Sequence, residues 1–402
     1  MRIALIADAY PPVRTSAAVQ IRDLSVELAR QGHEPIVLIP DSRLDRPWAS
    51  EELGNVRVVR LKAPRTKDIG YVRRTLNEFL MPFFMRRNLR KSPYGDIRWD
   101  GIVWYSPTIF LGPLVRALKG ASRCRAYLIV RDIFPEWAVD MGLMGRGLPY
   151  RFFKAVERYQ YSVADVIGVQ TQGNSPYFDA WAKQDGRRVE VLQNWLAEAP
   201  NVGSSISVAD GPLSGRTVFV YAGNMGVAQG MDVLIDLAAL LQSRCDIGFL
   251  FVGRGSDAKR LAAEANARGL DNVAFHDEID PSEIPGLYAQ CHVGIVALDP
   301  RHKTHNVPGK FLSYMQAGLP VLASINPGND LAELIQREGV GRVCADHSAG
   351  TLQQLALVLA EQIISDSNMS ARCHALSEKL FSPETAVKQI AVALSQSRKI
   401  GD

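Results

Sequence analysis

Residues 301–327, RHKTHNVPGKFLSYMQAGLPVLASINP, decide the fold. They read as a polar loop, a short helix, a tight turn and a buried strand. Val307-Pro308-Gly309-Lys310 opens the helix, Gly318 and Pro320 close it, and Val321-Leu322-Ala323 continues as an apolar run. Proline at a helix start and glycine at its end is the order that backbone geometry favours. The first amides of such a helix have no internal acceptor and can bind an anion. Gly309 permits close backbone approach and Lys310 adds a cation at the same place. Two readings stay open: a diphosphate seat, or an ordinary capped helix of an α/β layer.

The same alternation extends in both directions. Toward the N-terminus, residues 3–8, 35–40, 56–61, 101–106, 125–130 and 165–170 read as strands, and residues 16–33 form an amphipathic helix ending near Gly32. Residues 189–195, VEVLQNW, close this half; Asn194-Trp195 would lie near a hinge, with core packing the default for Trp195. Residues 198–215 are rich in Gly, Ser and Pro and read as a linker. The pattern restarts at TVFVYAG (217–223), with IGFLFVG (247–253), NVAFHDEI (272–279), HVGIVAL (292–298) and PVLAS (320–324) as further strands. This predicts two doubly wound α/β halves facing a central cleft, with ligands at the carboxyl ends of the strands. The expected divisions are 1–197, a linker over 198–215, 216–380, and a C-terminal helix within 381–402 that packs back toward the first half.

At 402 residues the chain can bury two or three cores, and 47% hydrophobic with 22% charged residues is ordinary for a globular protein. The apolar run after Met1 is short and ends in Tyr10-Pro11-Pro12, which suits a first strand better than a signal peptide. No run of about 18 apolar residues suggests a membrane span. The five cysteines are widely spaced and show no metal or disulfide pattern, so reduced, packed thiols are expected. The net charge of +4 is uneven: residues 60–91 hold ten basic and two acidic residues, a net +8, leaving −4 elsewhere. Within them FLMPFFM (79–85) lies between Arg73, Arg74 and Arg86, Arg87, Arg90, Lys91. Phe83 and Phe84 with those cations suit contact with an anionic membrane surface. A core-facing helix with solvated basic ends is the alternative. No signature of nucleic-acid binding accompanies the charge.

Several polar groups fall at strand ends. Gly223-Asn224-Met225-Gly226 and Arg254-Gly255 follow strands on the same expected rim as Gly309-Lys310, so a nucleotide diphosphate there would meet free amides and two cations. Singly, each is an ordinary βα turn. Arg131-Asp132 and Glu136 follow another strand. Asp132 could take a proton from a sugar hydroxyl and Glu136 could bind one, or Arg131 and Asp132 form an ion pair with Glu136 capping a helix. His302, Lys303 and His305 form a polar cluster, but no carboxylate or cysteine completes a metal set.

These residues resemble the family-four glycosyltransferases of GT-B fold. The resemblance rests on Tyr10-Pro11-Pro12, Arg30-Gln31-Gly32-His33-Glu34, Asp132 with Pro135-Glu136, Gln193-Asn194-Trp195, Tyr221-Ala222-Gly223-Asn224, Phe251-Val252-Gly253 and Asn306 through Phe311. Residues 307–331 are similar to bacterial O-antigen and lipopolysaccharide transferases of the N-acetyl-L-fucosamine type. The resemblance implies a UDP-amino sugar donor, a polyprenyl-diphosphate-linked saccharide acceptor, no metal or other cofactor, and a peripheral place at the cytoplasmic face of the bacterial inner membrane. It implies a retaining reaction that needs no protein nucleophile; an inverting one would need a base, for which Asp132 is the candidate, and Lys310 and His305 are the other expected catalytic residues. Donor contacts would come from Gly223, Asn224, Gly226, Arg254, Glu278, Pro308, Gly309, Phe311 and Ser313, and acceptor contacts from Ser16, Arg131 and Glu136. The chain departs from the family where a glutamate pair is usual, with His305 and Ser313 in those positions, and where Asn224 and Gln229 replace the usual Arg and Lys. Ser16-Ala17-Ala18 replaces a usual Gly-Gly. A non-catalytic nucleotide-sugar-binding protein and a sugar-nucleotide epimerase on the same fold are the rival expectations.

Overall fold

The computed structural model describes residues 1–13, 15–301 and 303–396. The chain divides into two compact units: Met1–Leu196 joined by the C-terminal segment from Pro383, and Ala197–Ser382.

The first unit begins β1 (Arg2–Ile6), α1 (Ser16–Arg30), β2 (Glu34–Asp41), β3 (Trp48–Leu53), β4 (Val56–Lys62), α2 (Tyr71–Leu89), β5 (Gly101–Tyr105), α3 (Gly112–Ser122) and β6 (Arg125–Val130). It continues through α4 (Glu136–Asp140), α5 (Leu148–Val163), β7 (Val166–Val169), α6 (Asp179–Ala182) and β8 (Arg188–Val191). The strands order as β3-β4-β2-β1-β5-β6-β7-β8. All neighbours are parallel except β3, which pairs antiparallel with β4 at the edge. The sequence pattern does not announce β3: its WASEEL residues are half-buried or exposed and carry no apolar alternation.

The second unit runs β9 (Thr217–Ala222), α7 (Asp232–Leu240), β10 (Ile247–Val252), α8 (Ala258–Ala267), β11 (Val273–His276), α9 (Ile284–Tyr288), β12 (Val293–Ala297) and α10 (Gly309–Gln316). It ends with β13 (Val321–Ser324), α11 (Asp330–Glu338), β14 (Gly341–Cys344), α12 (Ala349–Ser365) and α13 (Met369–Leu380). Its wholly parallel sheet has the order β11-β10-β9-β12-β13-β14. The order reverses between β9 and β12, and a crevice opens at such a point beyond the strands' carboxyl ends. The strands β9, β10 and β12 are apolar and buried throughout most of their length, as a sheet covered on both faces requires.

One segment falls differently from a reading by composition. The Gly- and Ser-rich residues 198–215 are strapped to the second unit: Ser205 N donates to Glu283 Oε2 (2.5 Å), Val208 N to Gln290 Oε1 (2.9 Å), and Gln290 Nε2 to Ile206 O (3.0 Å). Leu213 is buried. The partners come from distant side chains, so local composition gives no sign of them. The helix α14 (Pro383–Ser395) returns to the first unit, where Val387, Ile390 and Leu394 join the core of Ile3, Leu5, Val103 and Ile129. Gln389 Nε2 donates to Val191 O (2.8 Å) there. The remainder of the expected C-terminal helix, 397–402, lies outside the described residues. Among the described residues the five cysteines are free thiols, and Cys291, Cys344 and Cys373 are buried.

Candidate active site

The rim of the second unit is built from backbone. After β9 and β10 the two chains run on side by side: Gly223 N donates to Val252 O (2.8 Å), Met225 N to Arg254 O (2.7 Å) and Asp257 N to Met225 O (3.0 Å). The approach is so close that a Cβ at Gly253 would collide with the Gly223 carbonyl, and one at Gly255 with that of Met225. Both sit at positive φ (144° and 150°), so glycine is required twice over. Gln229 braces the turn, its Oε1 accepting from Asn224 Nδ2 (3.1 Å) and Gly226 N (3.0 Å). Gly223 and Asn224 are exposed at the tip, whereas Gly226 is buried in the brace.

Helix α10 sets Lys310 against this loop. Pro308 is the residue that caps the helix, in extended geometry, rather than its first helical residue. Tyr314, one turn on, pins the helix to β9: its hydroxyl donates to Val220 O (3.0 Å) and accepts from Ala222 N (3.4 Å). The ring lies on Gly294, where any side chain would strike it. Lys310 Nζ then stands 3.6 Å from the ring centroid of Tyr221 and a similar distance from the Cβ position of Gly223. The side chain as a whole is half-buried, but its ammonium is the enclosed end. Burial lowers its pKa to about 7. The Tyr221 face works against that shift by attracting the cation. An ammonium held short of full protonation by burial is set to gain its proton when an anion arrives.

The other expected donor residues divide. Arg254 is exposed and paired with Glu278 (3.1 Å), a surface pair of small net value that a phosphate can replace. Ser313 Oγ donates to Gly309 O (3.3 Å) on the half-buried face of α10. Phe311 does not face a ligand: it is fully buried against Phe381, and its amide donates to Pro308 O (2.9 Å). The amides of Gly309 and Lys310 remain the ones that open the helix. His305 Nδ1 lies 2.9 Å from Asp330 Oδ1 and 3.2 Å from Asp330 N, so either tautomer is oriented by the start of α11. His302, from the same expected cluster, lies outside the described residues. Among those described, no group of three His, Cys, Asp or Glu is placed to hold a metal ion.

In the first unit Asp132 and Arg131, adjacent in sequence, have opposite fates. Arg131 is buried, donating to Leu192 O (2.7 Å) and Gln193 O (3.2 Å) with its guanidinium over Trp195 (4.9 Å). It braces the end of the unit and is not presented to an acceptor. Trp195 is itself core, with Nε1 donating to Gln20 O (2.8 Å). Asp132 is half-buried, and among the described residues no hydrogen bond or ion pair engages its carboxylate. Burial raises its pKa and the Arg131 charge only partly opposes this. A carboxyl with raised pKa and open lone pairs is what a general base requires.

Glu136 is committed elsewhere. Its Oε1 accepts from Tyr150 Oη (3.1 Å) and pairs with Lys154 (2.9 Å), tying α4 to α5. Ser16 is exposed as the first residue of α1, whose cap is Thr15, accepting from Ala18 N (3.3 Å).

Helix α2 has one buried and one exposed face. Met81, Pro82, Met85, Asn88 and Leu89 are buried on one face, and Asn88 Nδ2 fixes it to Lys62 O (2.7 Å). Leu76, Phe79, Phe83 and Phe84 form an exposed face, with Arg73, Arg74, Arg86, Arg87, Arg90 and Lys91 exposed around it. Arg74 pairs with Glu78 (2.9 Å), whose carboxyl also feels the charge of Asp8 after β1, which places the helix beside the strand ends. No described helix is long and apolar enough to cross a membrane.

Sequence reading missed Tyr221 as the platform for Lys310 and Asp330 as the partner of His305. Tyr221 lies inside an apolar strand, and nothing local marks its ring as a cation platform. Asp330 follows the Asn329 cap, where an acid at a helix start is unremarkable. A separate basin at the amino ends of β1 and β2 is lined by Met1, Arg2, His33, Glu34, Arg98 and Asp100.

Residues 15–195 match the family of glycosyl transferase 4-like domains, and residues 216–362 match glycosyl transferases group 1. The probable glycosyltransferase WbjE of Pseudomonas aeruginosa is 24% identical over 73% of this chain and 74% of its own. The putative colanic acid biosynthesis glycosyl transferase WcaI of Escherichia coli is 26% identical over 73% and 76%. Among solved structures, sucrose-phosphate synthase of Thermosynechococcus elongatus superposes with a TM-score of 0.72 at 16% identity, over 98% of both chains. WaaG, a glycosyltransferase involved in lipopolysaccharide biosynthesis, gives 0.66 at 16% over 98% and 100%. Anabaena HepE in complex with UDP and glucose gives 0.66 at 17% over 98% and 99%. A glycosyl transferase 4-like domain and a glycosyl transferases group 1 domain therefore stand in tandem here, and the protein is a GT-B glycosyltransferase.

Proposed function

We propose that this glycosyltransferase moves an amino sugar of the N-acetyl-L-fucosamine type from a UDP donor to a polyprenyl-diphosphate-linked saccharide in bacterial O-antigen or lipopolysaccharide assembly. The observation that carries the donor reading is Lys310, held on Tyr221 at the open end of α10 beside the exposed Gly223 loop. The UDP bound in HepE supports the nucleotide, and the names of WcaI and WaaG support polysaccharide assembly. The sugar type rests on the sequence similarity of residues 307–331.

In the reaction an acceptor hydroxyl oxygen bonds to the sugar's anomeric carbon as the bond to the β-phosphate oxygen breaks and UDP leaves with the electron pair. Asp132 takes the hydroxyl proton. The Lys310 ammonium and the first amides of α10 meet the charge that grows on the diphosphate. With that field supplied by the protein, no metal or cofactor is invoked. The exposed face of α2 holds the enzyme at the anionic cytoplasmic face of the membrane.

Calorimetry with UDP tests the seat. Lys310→Ala weakens binding at least tenfold, consistent with about 1.5–3 kcal/mol for a charged hydrogen-bond partner; unchanged affinity overturns the assignment. A panel of UDP-sugars with a synthetic polyprenyl-diphosphate saccharide, the product linkage read by NMR, decides donor, acceptor and anomeric outcome.

A further inference from the structure

A row of aromatic rings leads from the exposed face of α2 to the segment that carries Asp132. Phe83 lies 6.0 Å from Phe79, Phe79 6.4 Å from Phe152 on α5, and Phe152 5.3 Å from Phe153. Phe153 lies 5.1 Å from Phe134, and Phe134 6.3 Å from Trp137. Exposure falls along the row. Phe83, Phe79 and Phe152 are 47%, 43% and 42% exposed, whereas Phe153, Phe134 and Trp137 are half-buried. Phe134 is two residues from Asp132.

Neither simple account explains the whole row. Core packing explains the inner rings but not why three outer phenylalanines stay exposed although burying them would be favourable. Resting on a bilayer explains the outer rings but not a path that leaves the surface and ends two residues from Asp132. A linear apolar chain covalently joined to the reacting group explains both. Charge agrees: α2 flanks the outer end with Arg86 and Arg87, and Arg146 and Arg151 lie exposed where α5 begins, which suits an anionic amphiphile.

We infer that this aromatic row binds the first isoprene units of the lipid-linked acceptor and leads its diphosphate-bearing end toward Asp132. The inference rests on the acceptor class proposed above and extends it to a binding track. Apolar stacking on ring faces supplies the affinity.

Farnesyl diphosphate below its micelle concentration is the probe, with inorganic diphosphate as the control and the full chain as the protein. Farnesyl diphosphate binds saturably and at least tenfold more tightly than inorganic diphosphate. Phe153→Ala and Phe134→Ala each weaken it at least fivefold, Phe153→Leu weakens it less, and pelleting with anionic vesicles is unchanged in all three. Thermal melting followed by the fluorescence of Trp104 and Trp195, both buried in the first unit, reports whether each variant is folded; Phe153→Leu keeps the test open if an alanine variant is not. Equal affinity for the two diphosphates, or equal farnesyl diphosphate binding by wild type and the folded inner variants, overturns the track. That failure is separate from failure of the donor reading, which shows as absent UDP binding with the farnesyl probe still bound.

Discussion

At the residue scale, burial shifts Lys310 and Asp132 each toward its neutral form. Lys310 has a pKa of about 7 in the folded protein, below its unfolded value. Between that pH and the ordinary lysine range the unfolded chain therefore carries a proton that the folded chain lacks. Stability from this residue accordingly rises with pH through that window and is lowest below it. Lys310→Met removes the penalty, so it melts above wild type at about pH 6 and the gap closes by about pH 10. The same residue makes UDP binding take up a proton above about pH 7, where affinity falls as pH rises. Calorimetry in buffers of different ionisation heat measures that uptake, and Lys310→Met loses it. For Asp132 the shift is upward. Asp132→Asn keeps the shape and removes the base, so turnover falls about a hundred- to ten-thousandfold. UDP affinity, which belongs to the other unit, is unchanged.

At the scale of the element, α2 shows what a sequence pattern can and cannot resolve. Its apolar residues fall on two faces, one buried and one exposed, so periodicity gives neither a clean core stripe nor a clean surface stripe. The two faces separate by substitution. Met85→Ala opens the core and costs about 2–5 kcal/mol in denaturant melts, with vesicle pelleting per folded molecule unchanged. Neutralising Arg86, Arg87, Arg90 and Lys91 together does the reverse: melting is unaffected, while pelleting with anionic vesicles at low salt falls. Equal pelleting would remove α2 from the membrane. Helix α10, by contrast, is legible from its own residues, because Pro308 and Gly318 mark its ends in sequence. What the sequence does not show there is direction. Phe311 looks like a ligand contact until the helix is rotated by Tyr314 onto β9, which turns Phe311 into the core and Lys310 to the rim. Arg131 is the same lesson in the first unit: its charge beside Asp132 reads as chemistry, but its partners are carbonyls sixty residues away, beyond the reach of any local pattern.

At the scale of the molecule, the two doubly wound units follow from alternating apolar runs and helices, whereas the antiparallel edge strand β3, which carries no apolar alternation, does not. The start of the second unit is not legible in composition either, because it depends on where distant segments find partners. Residues 198–215 are held by Glu283 and Gln290, and α14 completes the core of the unit that opens the chain. The first unit is thus sewn shut by the last described helix. The proposed donor groups fall wholly within Ala197–Ser382. A ligand that binds one folded unit stabilises that unit by mass action, about 2.7 kcal/mol at a hundred times its dissociation constant. In scanning calorimetry UDP therefore raises the unfolding transition of the second unit. Trp195 and Trp104, both buried in the first unit, report its transition by fluorescence. If that transition moves as far with UDP as the calorimetric one, the units unfold as a single cooperative body. If it stays in place, the nucleotide's binding energy is confined to the unit that holds Lys310, and farnesyl diphosphate shifts the tryptophan-reported transition instead.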